Sequence, residues 1–267
     1  MDGLCQLLDY GIHLRIMKRI TIFLAVILLL SGFASDDFKA DQRKYARVRQ
    51  AYTDTDSAVQ STLDKHKLKR DQLEIYIRAF KSEKKVELWG KNRNDTQFKH
   101  IKDYRICESS GNLGPKRMQG DYQVPEGYYH IERYNPVSSY YLSLGINYPN
   151  PSDRILGNKS KLGGDIFIHG QCVTIGCIPL TDEWIKELYV FCIEAKNNGQ
   201  TSIPVTIFPM ELDEQNFKSL SANFANDSDK IGLWTDLKAG YDIFNKTQQL
   251  PNIGFNANGR HTVAASN

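Results

Sequence analysis

The sequence predicts a mainly β fold with flanking helices, in the α+β class. Short runs of alternating apolar and polar residues recur between residues 70 and 210, beginning with LEIYIRAF and KKVELWG. Such alternation is typical of strands that bury one face. Glycine- and proline-rich stretches such as GNLGPKRMQGDYQVPEG separate the runs, and helical spacing is confined to the two flanks and to one stretch after Thr181.

The N-terminus has the pattern of an export signal. Lys18 and Arg19 precede the unbroken apolar run ITIFLAVILLL, and small residues follow it. The run is shorter than the roughly 20 residues that span a bilayer. We interpret residues 17–35 as a signal peptide and residues 1–16, which place acidic residues ahead of the basic ones, as a start-site extension. The protein is expected in the periplasm or cell envelope, with no stable membrane span after cleavage.

The remaining chain divides into three predicted segments. Residues 36–69 are expected to form surface helices, and residues 70–210 a main domain that starts with a β-hairpin and ends with the strand IPVTIFPM. Within that domain, Thr181 is a good N-cap with acidic residues in the first turn, so a helix should follow it. Residues 211–267 are expected to pack on the main domain as a C-terminal segment.

Composition excludes some classes of function. The chain has 267 residues, 41% of them hydrophobic, and a formal net charge of only +3. Without a block of Lys and Arg, nucleic acid is not expected as a partner. Four cysteines follow the signal, too few for a disulfide scaffold in a domain of this size, and a reactive thiol among them is plausible on chemical grounds.

The stretch DIFIHGQCVTIGCIPL holds the candidate chemistry. It contains His169, Cys172 and Cys177, and it admits a metal site, a disulfide between its two cysteines, or a thiol activated by the histidine. Three ligands are too few for a structural zinc site, so no metal or other cofactor is expected. A Cys172–Cys177 disulfide would leave the histidine and the glycines without a role. An activated thiol uses all of them.

Cys177 is the favoured nucleophile. A helix is expected to start just after it, and the free N–H groups of a helix N-terminus lower a thiol pKa. Gly176 would let the N–H groups of residues 176 and 177 face an oxyanion. His169 ends an apolar strand and would serve as general base and acid, with its ring oriented by Thr174 or by a backbone carbonyl.

The other cysteines are not expected to act as nucleophiles. Cys172 is either a bystander or a redox brake on the nucleophile. Cys107, in a strand-like run, and Cys192, beside the apolar stripe of a helix, are expected to be small buried apolar side chains.

The same stretch resembles the active-site signature of the YkuD-type L,D-transpeptidase family. That signature has a His-Gly pair and a Ser/Thr-x-Gly-Cys segment, matched here by His169-Gly170 and by residues 174–177. The blocks GNLGPKRMQGDYQVPEGYYHI and GQTSIPVTIFPM are similar to the YafK-like branch. Ile175 and Pro179 depart from the wider family. The resemblance implies a β-sandwich-like catalytic domain over residues 70–210, with Cys177 as nucleophile.

The resemblance also implies substrates and partners. Family members act on peptidoglycan stem peptides through a thioester, with a wall-attached lipoprotein or another amine as acceptor. The implied function is L,D-transpeptidase. The alternatives are an L,D-amidase that releases wall-attached protein or D-Ala, and a non-catalytic wall-binding module with Cys172 and Cys177 bridged. Four residues are candidates for substrate binding, three of them cations that suit carboxylates: Lys116, Arg133, Arg154 and Gly170.

Overall fold

The computed structural model describes residues 37–266. The expected signal peptide and start-site extension lie outside the described residues. No helix in the described part of the chain is both long and apolar enough to cross a membrane.

Eight strands form one mixed sheet in the order β3-β2-β1-β8-β4-β5-β6-β7. The strands are β1 Leu73–Phe80, β2 Lys85–Asn92, β3 Lys99–Arg105, β4 Gly127–Asn135, β5 Ser143–Ile146, β6 Phe167–His169, β7 Ile178–Pro179 and β8 Ile203–Phe208. The predicted hairpin is present, with β1 antiparallel to β2. β8 returns to the centre, parallel to β1 and antiparallel to β4.

Helices flank the sheet. They are α1 Phe38–Arg43, α2 Ala46–Lys65, α3 Pro151–Leu156, α4 Asp182–Asn197, α5 Glu214–Asn223 and α6 Ser228–Thr247. A separate two-stranded ribbon pairs β9 Asn252–Phe255 with β10 His261–Ala264. The side chain of Thr181 accepts a hydrogen bond from the Trp184 N–H and begins α4 as predicted. The fold class, mainly β with flanking helices, is therefore confirmed.

Each face of the sheet carries a hydrophobic core. Since successive strand residues point to opposite faces, β1 places Ile77 in the core shared with α2 and α4, and Phe80 in the core shared with α5 and α6. Cys192 is fully buried in the first of these cores, as predicted. Burying side chains of this kind stabilises a fold by roughly 1.5–3 kcal/mol each.

The candidate motif lies at one end of the sheet. β6 and β7 run parallel, with Ile168 beside Ile178 and His169 beside Pro179. The loop between them holds most of the motif. Packing of both isoleucines into the core fixes this edge, because each is almost wholly buried.

Candidate active site

The sheet register places His169 and Cys177 on the same side of the edge. Ile168 and Ile178 are paired and both point into the core. Residues one position before or after them on each strand therefore point the other way. Cys177, just before Ile178, and His169, just after Ile168, therefore lie on the face of this edge opposite the two isoleucines.

Cys177 is a free, half-buried thiol. Its Sγ accepts a hydrogen bond from the Phe167 N–H at 3.4 Å and lies 3.7 Å from the Asp165 carbonyl oxygen, to which the thiol donates. Burial raises the pKa of Cys177, and the Asp165 charge adds to that rise, while the Phe167 N–H and the Lys116 charge oppose it. The resting thiol is therefore protonated at neutral pH.

The expectation that a helix N-terminus lowers the pKa of the Cys177 thiol is wrong. α4 begins at Asp182, and the short strand β7 lies between the cysteine and the helix. The residues that follow Cys177 therefore pair with β6 instead of starting a helix.

His169 is buried, and its ring orientation is fixed by backbone. Nδ1 lies 2.6 Å from the carbonyl oxygen of Gly170. A carbonyl can only accept, so Nδ1 carries the hydrogen and Nε2 keeps the lone pair of a base. Burial lowers the pKa of His169, and the contact with Gly170 acts against that shift. Between the two orienting groups that the sequence left open, the carbonyl is found and Thr174 is not.

The imidazole and thiol form a neutral pair at rest. Within residues 37–266, no hydrogen bond joins His169 to Cys177. The Tyr140 ring lies against the imidazole, with centroids 4.7 Å apart. Since the pKa of His169 is lowered and that of Cys177 is raised, the proton rests on the sulfur and both groups are neutral.

Thr174 holds the turn that leads to the nucleophile. Its Oγ1 accepts hydrogen bonds from the N–H groups of Gly176 at 3.1 Å and Cys177 at 2.8 Å, and donates to the Cys177 carbonyl at 2.8 Å. Gly176 has φ +138°, and a Cβ there would lie 3.0 Å from the carbonyl oxygen of Gln123. The position thus needs glycine. The two N–H groups expected to face an oxyanion are occupied by the Thr174 hydroxyl.

A disulfide joins Cys107 to Cys172, with their Cα atoms 5.5 Å apart and a sequence separation of 65. The expectation that Cys107 is a buried apolar side chain is wrong, and so is a Cys172–Cys177 bridge. The thiol of Cys177 stays free because Cys172 is bound elsewhere. The bond ties the segment after β3 to the loop that precedes the nucleophile.

Two of the predicted substrate-binding residues, Lys116 and Gly170, are buried. The ammonium group of Lys116 lies 2.6 Å from Asp121 and 2.9 Å from the Met118 carbonyl. These contacts hold it in place, and its positive charge acts on Cys177 from a distance. A Cβ on Gly170 would lie 2.6 Å from the Asp182 carboxylate. Gly170 therefore contributes backbone only.

The two arginines are more open. Arg133 is half-exposed, forms an ion pair with Asp165 at 2.8 Å, and places its guanidinium 4.9 Å from the Phe167 ring. Arg154 is exposed on α3. Of these two, Arg133 has contacts that reach the residues around the thiol.

A cavity of about 240 Å³ opens beside Cys177. Its apolar lining comes from strands and loops that are distant in sequence: Ala79, Ile106, Val124, Ile178 and Ile207. Polar groups line it as well, among them Lys81, Glu108 and Ser110. Sequence reasoning missed this wall, because nothing local in residues 106–113 marks them as neighbours of the motif.

A close group of potential metal ligands lies elsewhere. In the described part of the chain, Glu87, His100 and Asp103 come together on β2 and β3, at the opposite end of the sheet from β7. Glu87 is already paired with Arg78 at 2.6 Å. This group contributes nothing to the site at Cys177.

Comparison with known proteins places this geometry in a family. Residues 74–207 match the family model of the YkuD L,D-transpeptidase catalytic domain. The chain belongs to the YkuD family. It is 38% identical over 192 residues to the "Putative L,D-transpeptidase YafK" of Escherichia coli K12, covering 71% of this chain and 74% of that protein. The same figures hold for the protein of that name from Escherichia coli O157:H7.

Two solved structures show more distant likeness. One is the helical cell shape determining protein Pgp2 from Campylobacter jejuni, at 17% identity and a TM-score of 0.42, covering 70% of this chain and 74% of that one. The other is Bd1075 from Bdellovibrio bacteriovorus, at 20% identity and a TM-score of 0.38, covering 68% and 77%. Membership of the YkuD family makes this chain an enzyme of the L,D-transpeptidase type with a role in modifying peptidoglycan.

Proposed function

We propose that this protein is an exported cysteine enzyme that acts on peptidoglycan stem peptides through a thioester on Cys177, as an L,D-transpeptidase. The observation that carries the proposal is a free thiol that lines a cavity and shares one face of a sheet edge with a histidine whose Nε2 is a base. Family membership supplies the substrate class.

The first half-reaction forms the thioester. His169 Nε2 takes the proton of Cys177, and the sulfur attacks the carbonyl carbon of diaminopimelate in its bond to D-Ala. The protonated imidazole then gives its proton to the D-Ala nitrogen as the C–N bond breaks. For the N–H groups of Gly176 and Cys177 to hold the oxyanion, the substrate oxygen must replace the Thr174 hydroxyl as their acceptor.

The second half-reaction transfers the acyl group. An acceptor amine gives a proton to Nε2, its nitrogen attacks the thioester carbonyl, and the C–S bond breaks as the proton returns to sulfur. The acceptor is an amine of a second stem peptide or of a wall-attached protein. Water in the same position gives the L,D-amidase reaction.

A substrate carboxylate needs a cation near the cavity. We assign that role to Arg133, whose present partner Asp165 is exposed and can give way to a substrate carboxylate. Lys116 then acts as a fixed positive charge toward the thiolate, since its own donors are used by Asp121 and Met118. Arg154 on α3 is kept as a weaker candidate for the outer part of the stem peptide.

Export has support beyond the N-terminal pattern. The Cys107–Cys172 disulfide requires an oxidising compartment to persist. The proposed organisation is a signal peptide over residues 17–35, helices over 36–69, the catalytic domain over 70–210 and a C-terminal segment over 211–267. The expected site of action is the periplasm or cell envelope.

The test is mass spectrometry of purified muropeptides incubated with the protein, with and without an added amine. The wild-type enzyme is expected to release D-Ala from tetrapeptides and to join the remaining acyl group to the added amine. The Cys177→Ala variant is expected to do neither. Release without transfer would assign the amidase reaction. Product formation by the Cys177→Ala variant would contradict the proposed nucleophile.

A further inference from the structure

One buried polar side-chain atom in the lining of the cavity beside Cys177 has no hydrogen-bond partner. The Oγ of Ser110 is buried and has no hydrogen-bond partner among residues 37–266. Ser110 lines the same cavity as Cys177. A buried hydroxyl without a partner costs about 1–3 kcal/mol, a cost that a ligand in the cavity would offset by hydrogen bonding to the Oγ once the side chain rotates toward it.

The lysine that lines the cavity already has partners for its ammonium group. The ammonium group of Lys81 forms an ion pair with Glu126 at 2.9 Å. It also donates to three backbone carbonyls, those of Asn112, Gly114 and Val124, at 2.8 to 3.0 Å. Lys81 therefore holds the cavity wall together and has no donor left for a ligand.

The backbone that carries Ser110 is fixed on both sides. On one side, Cys107 is bonded to Cys172, and its N–H donates to the Pro179 carbonyl of β7 at 3.1 Å. On the other, the Asn112 N–H donates to the side chain of Gln123 at 2.9 Å. The hydroxyl is thus preorganised relative to the thiol.

We propose that Ser110 is a substrate-positioning residue, whose hydroxyl binds a peptide group of the acyl-donor stem peptide next to Cys177. The proposal rests on the proposed function, because it takes its ligand class from it. The cavity suits a peptide: its floor is apolar, and Ser110 Oγ both donates and accepts. The bound peptide supplies the partner that the hydroxyl lacks.

The disulfide gives Ser110 its place in the site. Cys107 lies three residues before the serine, and Cys172 lies in the loop that leads to Cys177. One covalent bond therefore joins the cavity wall to the loop of the nucleophile. This arrangement holds the backbone of Ser110 in place relative to the loop of the nucleophile.

The test compares Ser110→Ala, Ser110→Thr and Ser57→Ala in steady-state turnover of a disaccharide tetrapeptide. Ser110→Ala is expected to raise KM about three- to tenfold with little change in kcat. This is the effect of losing one neutral hydrogen bond that is equally strong in the bound substrate and in the transition state. Ser110→Thr keeps the hydroxyl and should recover most of the loss. Ser57 is exposed on α2, far along the chain from the site, and its variant should match wild type.

Stability distinguishes positioning from a structural role. Because Ser110→Ala removes an unpaired buried hydroxyl, its Tm should equal or exceed that of wild type, whereas a structural serine would lower it. In the Cys177→Ala background, titration calorimetry with the same tetrapeptide should show the same three- to tenfold weakening of Kd.

Each outcome decides the matter. An active wild type with an unchanged KM in Ser110→Ala, or a lowered Tm in that variant, overturns the role of Ser110 and leaves the proposed function standing. A wild type that neither turns over nor binds the tetrapeptide overturns the proposed function, and the role of Ser110 with it.

Discussion

The two free thiols of the described chain lie in contrasting regions. Cys177 is half-buried at the sheet edge, lines a cavity, and has an N–H group and a carbonyl against its sulfur. Cys192 is wholly buried in α4, inside the core between that helix and the sheet. Burial raises the pKa of both thiols.

The contrast shows that burial alone does not distinguish a reactive cysteine from a structural one. What separates the two is access and a base. Cys177 can be reached through the cavity and shares its face with His169, whereas Cys192 is surrounded by apolar side chains. The predictions below test this difference between Cys177 and Cys192.

The largest effect is expected on replacing each thiol by alanine. Cys177→Ala should lower kcat by at least about 10³-fold, as for loss of a nucleophile, with the free energy of unfolding unchanged. Cys192→Ala should keep wild-type kcat and lose roughly 1–2 kcal/mol of stability through the cavity it leaves. Muropeptide turnover and urea denaturation measure the two quantities. Equal activity in the two variants would remove the distinction between the regions.

His169→Gln should come next. The glutamine amide cannot act as a base, so kcat should fall by about 10²- to 10⁴-fold while the disulfide and the fold remain. Steady-state kinetics, with circular dichroism as the control for folding, provide the measurement. Retention of more than about a tenth of wild-type kcat would assign the base to another group.

The disulfide should matter for both stability and turnover. Cys107→Ser with Cys172→Ser opens a loop closed across 65 residues, which is expected to cost roughly 2–4 kcal/mol of unfolding free energy. Turnover should fall with it, because the cavity wall and the loop before Cys177 are no longer joined. Denaturation and kinetics on the double variant check this, with the exposed Ser57→Ala variant as the control that leaves the bridge intact. An unchanged unfolding free energy would contradict the assigned pairing.

A smaller loss is expected for Thr174→Val. Valine has the shape of threonine but cannot accept from the Gly176 and Cys177 N–H groups. We expect kcat/KM to fall about tenfold, the value of roughly 1.4 kcal/mol of transition-state stabilisation, with recovery in Thr174→Ser. A Ser variant as poor as the Val variant would show that the methyl group, and not the hydroxyl, holds the turn.

The smallest effect concerns pH. Because the pKa of Cys177 is raised, iodoacetamide should alkylate it at pH 7 more slowly than it alkylates free cysteine, with a rate that climbs as pH rises. The pKa of His169 is lowered, so its neutral, basic form persists below its usual range, and the acid limb of kcat/KM should lie below about pH 6.5. Mass spectrometry of alkylated peptides follows both cysteines, and Cys192 should stay unmodified in the folded protein. Rapid, pH-independent alkylation of Cys177 would reveal a preformed thiolate.

Local patterns were enough to predict much of the fold. The hairpin of β1 and β2 follows from period-2 alternation, and the start of α4 follows from the Thr181 N-cap, since both depend on neighbouring residues alone. Burial of Cys192 follows from the apolar stripe of the same helix. The placement of His169 and Cys177 beside the same sheet edge was predictable because a strand and a short loop connect them, and their action as a catalytic pair stays a prediction.

The errors lie where distant segments meet. Cys107 finds Cys172 only because β3 and the catalytic loop are neighbours in space, and no sequence pattern encodes that contact. The same tertiary pairing makes the residues after Cys177 the strand β7. The pKa of the thiol is raised by its burial in this packing, which the sequence did not predict. The sequence also did not predict that Ser110 lines the cavity of Cys177, because that position depends on the same contacts between distant segments.

Trapping the acyl-enzyme tests the central claim most directly. Wild type is mixed with a disaccharide tetrapeptide, quenched in acid, digested, and its peptides are mapped by mass spectrometry. The account predicts an adduct equal to the substrate minus D-Ala on the peptide that contains Cys177, absent from Cys177→Ala and unaffected by Cys192→Ala. An adduct on any other residue, or turnover by Cys177→Ala, would contradict it.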